Sequence, residues 1–452
     1  MNLIAGEAQR GPIVSWRALL AFLILVILFI PIRRYALPGN LPFQLEPYRL
    51  LIAFIAAAWL ASLLADPRVR LRPSGFEGPL LLFTAVVLLS IVFNNDRMDK
   101  LGVNAEVAKR VMFFLSFLIA FYLVVSVVRS ADDARFLVKV LVGGGAVLAG
   151  FALYESRTGY NAFDHLRKVL PFLHGLSSQE GGIGPGIRNS RFRATASAQH
   201  PIALSAALVM LVPLALYLAR RSRIWWLAAG LIAAGAIATV SRTGVVMLLA
   251  VAITFFVLRP REAKRWWPAI IPVLVLVHFA IPGTLGTLKQ SFFPRGGLIH
   301  EQRGSANQGR IADLKPSLTE WARRPVVGEG FGTRIPTGPM KNARILDNQW
   351  LKTLLETGLA GAVALAWLYL RFIRRVGREG KHDQSDRGWL LCSLAASIAS
   401  FAVGLYFYDA YSFVQVTFLS FILLGLGAAI LPPRAQRERV LRRALRMRPA
   451  GR

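Results

Sequence analysis

Apolar runs of about 15 to 20 residues recur from near one end of the chain to the other. Coiled as a helix, such a run is close to the roughly 20 residues that cross about 30 Å of hydrocarbon. Apolar residues make up 55% of the 452, more than a soluble domain could expose without aggregating. The chain is therefore predicted to be an all-α integral membrane protein.

We predict about 12 transmembrane helices. Their ranges are 18–32, 50–64, 79–93, 111–128, 136–154, 202–218, 224–239, 245–258, 267–281, 351–370, 388–407 and 413–430. The first run has no cleavage site of the A-x-A kind and many further runs follow it. We therefore interpret it as a retained helix and not as a signal peptide.

Basic residues indicate which way these helices run. If the N-terminus is cytoplasmic, the strongly basic short segments all fall on the cytoplasmic side, as the positive-inside rule predicts. They are 68–72, 220–223, 259–265, 371–387 and the tail after Pro433. This arrangement accounts for the net charge of +30 without nucleic acid as a partner. Both termini are predicted to be cytoplasmic.

Six parts follow from this division. They are 1–154 with helices 1–5, an external arginine-containing loop 155–201, 202–281 with helices 6–9, a large external loop 282–348, 349–431 with helices 10–12, and a basic cytoplasmic tail 432–452. In the second loop, Ile311, Leu314, Leu318 and Trp321 follow helical spacing and would form one apolar face. We expect a partly helical external cap between helices 9 and 10.

Arg242 is the sharpest functional candidate, because ionisable residues are almost absent from the predicted spans. It belongs to the turn 241–244 (SRTG) between two apolar runs, at the predicted outer boundary. A guanidinium there can meet an anion in a poorly hydrated cavity. The equally weighted alternative is an arginine that only extends toward lipid headgroups.

Three further arginines, Arg188, Arg191 and Arg193, precede the sixth span. Their planar groups would suit a phosphate clamp, because they bind phosphate oxygens bidentately. The alternative is a solvated basic loop or a contact with anionic lipid. His200, at the mouth of the same span, is either a general base or a capping group, and capping is more common for an isolated histidine.

The second loop closes with RRPVVGEGFG at 323–332, where Gly328, Gly330 and Gly332 alternate. This pattern predicts a tight or closely approached backbone. It is not a dinucleotide fingerprint, since no strand-to-helix unit surrounds it. Asp347 then stands at the outer start of the tenth span, either as an N-cap or as a base beside a cationic phosphate site.

Taken together, these segments resemble the O-antigen ligase and polymerase family of bacterial surface-polysaccharide assembly. Four segments carry the resemblance in order: the arginine-rich loop ending at 191–201, the turn 241–244, the stretch 310–332, and Asp347-Asn348 followed by GLAG at 358–361. The number of spans and the large external loop also match, so the resemblance covers most of the chain.

The resemblance implies a metal-independent glycosyltransferase without a cofactor, in the bacterial cytoplasmic membrane. Its donor would be an undecaprenyl-diphosphate-linked oligosaccharide, and its acceptor a hydroxyl of a glycan or lipid-linked glycan. Arg242 and Arg310 would match the two external arginines that hold the diphosphate. The other residues expected to bind diphosphate or glycan are Arg188, Arg191, Arg193, Asn348 and Lys352.

Asp347 departs from the family pattern, because the ligases typically have histidine there as the proposed base. A carboxylate can perform the same proton transfer if its pKa suits the site, although adjacent arginines lower its basicity. We therefore favour a polymerase of lipid-linked repeat units, with a ligase to a lipid or cell-wall acceptor as the alternative. His200 is the second candidate base.

Two functions of other classes compete with this interpretation. A transporter or flippase for the lipid-linked glycan predicts ionisable residues and broken helices at the middle of the membrane. The charges in this sequence gather instead at the predicted outer face. A non-catalytic scaffold would use its arginines only to bind anionic polymer.

Overall fold

The structure is a computed structural model. It describes residues 15–39, 44–65, 71–176, 187–188, 191–266, 313–338 and 340–431, together with residues 268, 271, 275 and 279. Arg310, most of the predicted ninth span and the basic tail lie outside the described residues.

Helices dominate the described part of the chain. They are α1 Trp16–Phe29, α2 Pro47–Ala65, α3 Glu77–Val92, α4 Asn95–Leu101, α5 Asn104–Val127, α6 Ala131–Thr158, α7 Pro201–Ala219, α8 Ile224–Ala238, α9 Arg242–Leu258, α10 Pro260–Trp266, α11 Leu314–Trp321, α12 Gln349–His382, α13 Asp386–Gly404 and α14 Val414–Ala429. Short 3-10 helices cover Ala162–Lys168 and Ala410–Ser412. Two antiparallel ribbons pair β1 Tyr35–Ala36 with β2 His174–Gly175, and β3 Ile187–Arg188 with β4 Arg191–Phe192.

Six described helices are long and apolar enough to cross a membrane, namely α2, α5, α6, α7, α12 and α13. A seventh candidate is the pair α3 and α4, which is bent by 60°. The apolar helices α1, α8, α9 and α14 are shorter. Every predicted span except the ninth overlaps one of these helices. The all-α membrane architecture is confirmed, while the full set of twelve spans stays a prediction.

The helices differ in how much of their surface the protein covers. In the most apolar 18-residue stretch of α7, 89% of the residues are buried, so this helix lies at the centre of the bundle. In α2 only 28% is buried, and Phe54 and Leu64 are exposed. Because a helix that is apolar all round needs apolar surroundings on every side, the uncovered side chains of α2 suit lipid.

We call the end of the bundle where α7, α9 and α12 begin the outer end, following the orientation predicted from the basic residues, and the opposite end the inner end. At the inner end, Asp386 begins α13 and accepts hydrogen bonds from Tyr217 at 2.6 Å, Arg221 at 2.9 Å and Arg135 at 3.0 Å. A carboxylate is favoured at a helix N-terminus. This one also ties α6 and α7 to α13.

Helix α12 is interrupted at Gly358, whose backbone is not helical, with φ 68° and ψ −168°. The backbone of residues 325–330 lies against this break. Two of its N–H groups donate to the carbonyl groups of Leu355 and Glu356, each at 2.9 Å. The N–H that follows Gly358 donates back to the segment at 2.8 Å. The groups freed by the break are thus paired within the protein.

The alternating glycines explain how the two backbones come so close. Gly328, Gly330 and Gly332 all have positive φ, at 68°, 101° and 79°. A Cβ on Gly328 would lie 2.5 Å from the carbonyl carbon of Glu356 and 2.6 Å from the nitrogen of Thr357. The predicted close approach is confirmed, and the neighbour approached is α12 itself.

The helix predicted in the second long loop is present as α11. Its Leu314 and Trp321 pack on an apolar cluster at the start of α12, whereas Leu318 is 47% exposed. The three residues lie in one helix at the predicted spacing, and Ile311 lies outside the described residues. The helix is only eight residues long, and neighbours on one side cannot cover all of its apolar positions.

We predict that Gly328→Ala lowers the thermal stability of the purified protein well below that of Gly338→Ala. Both glycines have positive φ, which costs an alanine about 1–2 kcal/mol. A Cβ on Gly338 meets no atom within 4 Å, whereas one on Gly328 overlaps the backbone of α12. Melting followed by size-exclusion chromatography in detergent measures the difference. Equal melting temperatures for the two variants would contradict the docked break.

Candidate active site at the outer end

Helices α7, α9 and α13 meet closely at the outer end. A Cβ on Gly244, in the first turn of α9, would lie 1.9 Å from Ser205 Oγ of α7. A Cβ on Gly404, the last residue of α13, would lie 2.8 Å from Met247 Sδ of α9. The turn that carries Arg242 therefore adjoins the start of α7 and the end of α13.

The start of α12 joins the same end through the connection between α13 and α14. The N–H of Gln349 donates to the carbonyl of Leu405 at 2.7 Å, and its side-chain oxygen accepts the N–H of Tyr411 at 2.9 Å. Leu405 follows Gly404, which packs on α9. Arg242 and Asp347 thus belong to one end of the bundle, at the starts of helices that both contact the end of α13.

The N-terminus of α9 combines a charged side chain with two unsatisfied hydroxyl groups. Arg242 is the first residue of this helix and is half-buried. The hydroxyl oxygens of Ser241 and Thr243 are buried and have no hydrogen-bond partner among the described residues. Val240, just before them, takes a left-handed φ of 51°, which is costly for a β-branched residue. Positive dipole, guanidinium and free hydroxyls together suit an anion.

Arg193 is the member of the predicted arginine clamp that the structure brings to this turn. Its Nε donates to the carbonyl of Thr239 at 3.2 Å, three residues before Arg242. The loop before α7 and the turn between α8 and α9 are thereby linked through an arginine.

Glu155 holds that loop in place from beneath. Its side chain is 2% exposed, and its carboxylate accepts the N–H groups of Thr195 at 3.1 Å and Ala196 at 2.7 Å. The hydroxyl of Thr195 donates to it at 3.0 Å and the amide of Asn161 at 3.2 Å. A buried carboxylate needs such donors, because otherwise its charge is not compensated. These bonds fix the backbone between Arg193 and His200.

His200 acts as a helix cap. Its Nδ1 accepts the N–H of Ile202 at 3.1 Å, at the N-terminus of α7. Its ring lies 5.7 Å from the ring of Phe413, centroid to centroid. Of the two roles open to His200 from sequence, the structure therefore shows capping.

The N-cap of α12 is Asn348, whose side chain accepts the N–H of Leu351 at 3.0 Å. Asp347 precedes the cap and is half-buried. The interpretation of Asp347 as the N-cap is therefore wrong, because the amide oxygen of the next residue takes that position.

Lys352 forms an ion pair inside the protein. It is 7% exposed, and its Nζ lies 2.7 Å from Asp409 Oδ2 and 3.2 Å from Ser412 Oγ. The other oxygen of Asp409, Oδ1, is buried without a hydrogen-bond partner among the described residues. Tyr408 beside it is fully buried, which raises the pKa of its phenol well above the ordinary value. Tyr408 therefore keeps its proton, and the carboxylate is the group with an open acceptor.

For the remaining predicted site residues, the structure describes only the backbone or does not describe the residue. The backbones of Arg188 and Arg191 pair across the β3–β4 ribbon. Arg310 lies outside the described residues. The clamp of three arginines and the role of Arg310 stay predictions.

Sequence reasoning missed two acidic residues, Glu155 and Asp409. Glu155 ends a long apolar run and was read only as the start of a loop. Asp409 is the one carboxylate in the connection 408–412, and Lys352 lies at the start of the predicted tenth span. A search for opposite charges at the same predicted depth in the membrane could have paired Asp409 with Lys352.

We predict that Glu155→Gln loosens the loop between Arg193 and His200. An amide oxygen can accept only part of the present hydrogen bonds, and its NH₂ group would face backbone donors. Loss of a charged hydrogen bond costs about 1.5–3 kcal/mol. Hydrogen–deuterium exchange should accelerate at residues 195–198 in this variant and stay unchanged in Glu106→Gln, an acid of α5 whose side chain is 35% exposed. Unchanged exchange in Glu155→Gln would refute the support role.

Comparison with known proteins bears on this region of the chain. Residues 227–366 match the family model described as O-antigen ligase. The match begins in α8, ends in α12, and includes Arg242, Asp347 and Lys352. No match to a curated protein was found. The matched region supports the resemblance to the O-antigen ligase and polymerase family that the sequence motifs indicated.

Proposed function

We propose that the protein joins an undecaprenyl-diphosphate-linked glycan to an acceptor hydroxyl on the outer face of the bacterial cytoplasmic membrane. In this proposal it is a metal-independent glycosyltransferase and extends lipid-linked repeat units as a surface-polysaccharide polymerase. The family match supports a membrane protein of the ligase and polymerase type. The donor, the acceptor and the polymerase role belong to the proposal.

The observation that carries it is the N-terminus of α9. Arg242, two buried hydroxyls without partners and the positive end of a 17-residue helix converge there. Helices α7, α12 and α14 also begin at the outer end, so their dipoles add to the same positive potential. A diphosphate is the group that such a site would hold, because it offers several anionic oxygens to separate donors.

The leaving group explains what these residues would contribute to the reaction. As the acceptor oxygen bonds to the anomeric carbon, the bond from that carbon to the diphosphate breaks, and its electron pair leaves with the diphosphate. Arg242 and Arg193, with Arg310 as the second expected diphosphate ligand, would stabilise the charge that develops. Fixed donors in a poorly hydrated site are worth more than the same groups in water.

The proton of the acceptor hydroxyl must go to a base on the opposite face of the sugar. We assign this role to Asp347, which is half-buried and directly precedes the N-cap of α12. His200 is second, because its Nδ1 already accepts a backbone N–H. Lys352 would act through Asp409, whose Oδ1 can accept a sugar hydroxyl.

A ligase that transfers the glycan to a lipid or cell-wall acceptor is the second candidate, favoured by the description of the matching family model. One feature that a transporter predicts, a broken helix, is present, because α12 is interrupted nine residues after its start. In a transporter, such a break lines a cavity and leaves backbone groups for the substrate. Here residues 325–330 pair with those groups, so the break supports the loop instead.

The purified protein, given a defined undecaprenyl-diphosphate oligosaccharide, should lengthen the glycan on the same lipid. Release of lipid diphosphate only when a different labelled acceptor is added would identify the ligase. Arg242→Gln should lower the transfer rate about 100-fold or more, since loss of one donor to a developing charge costs about that much. Arg167→Gln, an exposed external arginine, is the matched control. Equal rates in both variants would disprove the clamp.

Asp347→Asn should lower the turnover rate by about 10² to 10⁴ while leaving the KM for the donor nearly unchanged, because the amide keeps the shape and loses the base. Asp347→His should restore part of the rate, since imidazole can accept the same proton. Asp96→Asn, at an exposed external acid, controls for the loss of one negative charge. A turnover rate in Asp347→Asn equal to that of the control would remove Asp347 from the mechanism.

A further inference from the structure

The inner half of α12 carries a groove of about 910 Å³ that no part of the proposed reaction uses. Its outer part is apolar, with Val363, Trp367 and Leu370 all exposed. Its inner part is lined by four arginines. They are Arg371, Arg374, Arg375 and Arg378. The change from apolar to basic occurs within one residue, between Leu370 and Arg371.

These side chains form one surface because they recur every three or four residues along a helix. Val363, Trp367 and Arg371 are spaced four apart, and Arg374 and Arg378 continue the row. Along the helix axis, the distance from Val363 to Arg378 is roughly 22 Å. This is about the depth of one membrane leaflet with its headgroups.

Two of the arginines contact the same backbone carbonyl, and one of them also contacts an indole ring. Arg371 and Arg375 donate to the carbonyl of Gly75, just before α3, with the shortest contact at 2.7 Å. The guanidinium of Arg371 also lies 5.8 Å from the ring of Trp367. A carbonyl and an indole ring orient a guanidinium without neutralising it.

The charge of the groove is strongly one-sided. Glu379 is the one carboxylate among the lining residues, and Arg387 lies 3.7 Å from it. Arg374 and Arg378 are exposed and form no ion pair with any residue that the structure describes. The inner part therefore offers guanidinium donors to an anion, while the outer part offers an apolar surface to a hydrocarbon chain.

We propose that this groove binds an anionic phospholipid of the inner leaflet. The phosphate of the headgroup would lie among the guanidinium groups of Arg371, Arg374 and Arg378, and an acyl chain would run along Trp367 and Val363. Basic recesses at the cytoplasmic side of membrane helices suit such headgroups, and tryptophan is common at the depth where headgroup meets hydrocarbon. The site is independent of the proposed glycan transfer.

Charge complementarity favours an anionic lipid over the C-terminal tail of the chain as the occupant of the groove. The tail after Pro433 is itself rich in arginine and would be repelled by the groove. An arginine that merely extends toward the interface accepts any headgroup, whereas a site should discriminate. The groove predicts preference for cardiolipin and phosphatidylglycerol over phosphatidylcholine, because the choline ammonium would face the arginines.

Native mass spectrometry of the full chain in detergent, titrated with each of these three lipids, tests the proposal. We expect cardiolipin and phosphatidylglycerol to bind at least tenfold more tightly than phosphatidylcholine. The double variant R374Q/R378Q should lose about tenfold in this binding, since each nearby arginine contributes measurably to attraction for anionic lipid. The control R261Q/R265Q removes the same charge from two exposed inner-end arginines of α10 and should bind as the wild type.

Three outcomes would overturn the proposal. The first is equal affinity for the anionic and zwitterionic lipids. The second is equal loss in both double variants, which would indicate general surface charge. The third is displacement of the lipid by millimolar inorganic phosphate, which would indicate an anion site that does not recognise the acyl chain. If R374Q/R378Q is not monodisperse, the single variant Arg378→Gln should still weaken anionic lipid binding.

Discussion

The pairing of residues 325–330 with the break in α12 is the interaction on which the outer end depends. A membrane helix cannot leave backbone groups unpaired, because each one costs several kcal/mol in hydrocarbon. The segment satisfies these groups through its own backbone, and a side chain at Gly328 would prevent the approach. Asn94, at the bend between α3 and α4, donates to the carbonyl of Gly328 at 3.3 Å. Ser90, near the end of α3, accepts the N–H of Phe331, the residue after this segment, at 3.1 Å. Loop, bend and the start of α12 therefore form one unit.

The buried carboxylate of Glu155 fixes the backbone of the loop before α7 in the same way. Glu155 accepts two backbone N–H groups of a segment that contains neither helix nor strand, and Ala196 takes a left-handed φ of 45° there. A non-glycine residue with this φ costs free energy, which the charge-assisted hydrogen bonds offset. The loop can then hold Arg193 against the turn of α9. Rigidity at the proposed site comes from a residue that contacts no substrate.

The sequence predicted those features that depend on local pattern. Apolar runs located the helices, and the alternating glycines of 323–332 indicated close backbone contact. What it did not predict depends on distant partners. The break at Gly358 requires a segment some thirty residues earlier in the chain, and the pairs of Glu155 and Asp409 join loops to separate helices. Asp347 and Asn348 are both good N-caps by residue type, and only the start of the helix decides between them.

The arrangement around the end of α13 bears on the proposed displacement. Arg242 begins α9 and Asp347 precedes α12, and both helices contact the end of α13. An inverting substitution needs its leaving group and its nucleophile on opposite faces of the anomeric carbon. Had both residues come from one helix, their groups would approach the sugar from the same side. Two different helix starts can instead present charge stabilisation to one face and a base to the other. The support of each helix start by its own loop then becomes a requirement of the chemistry, because both groups must be fixed before the sugar arrives.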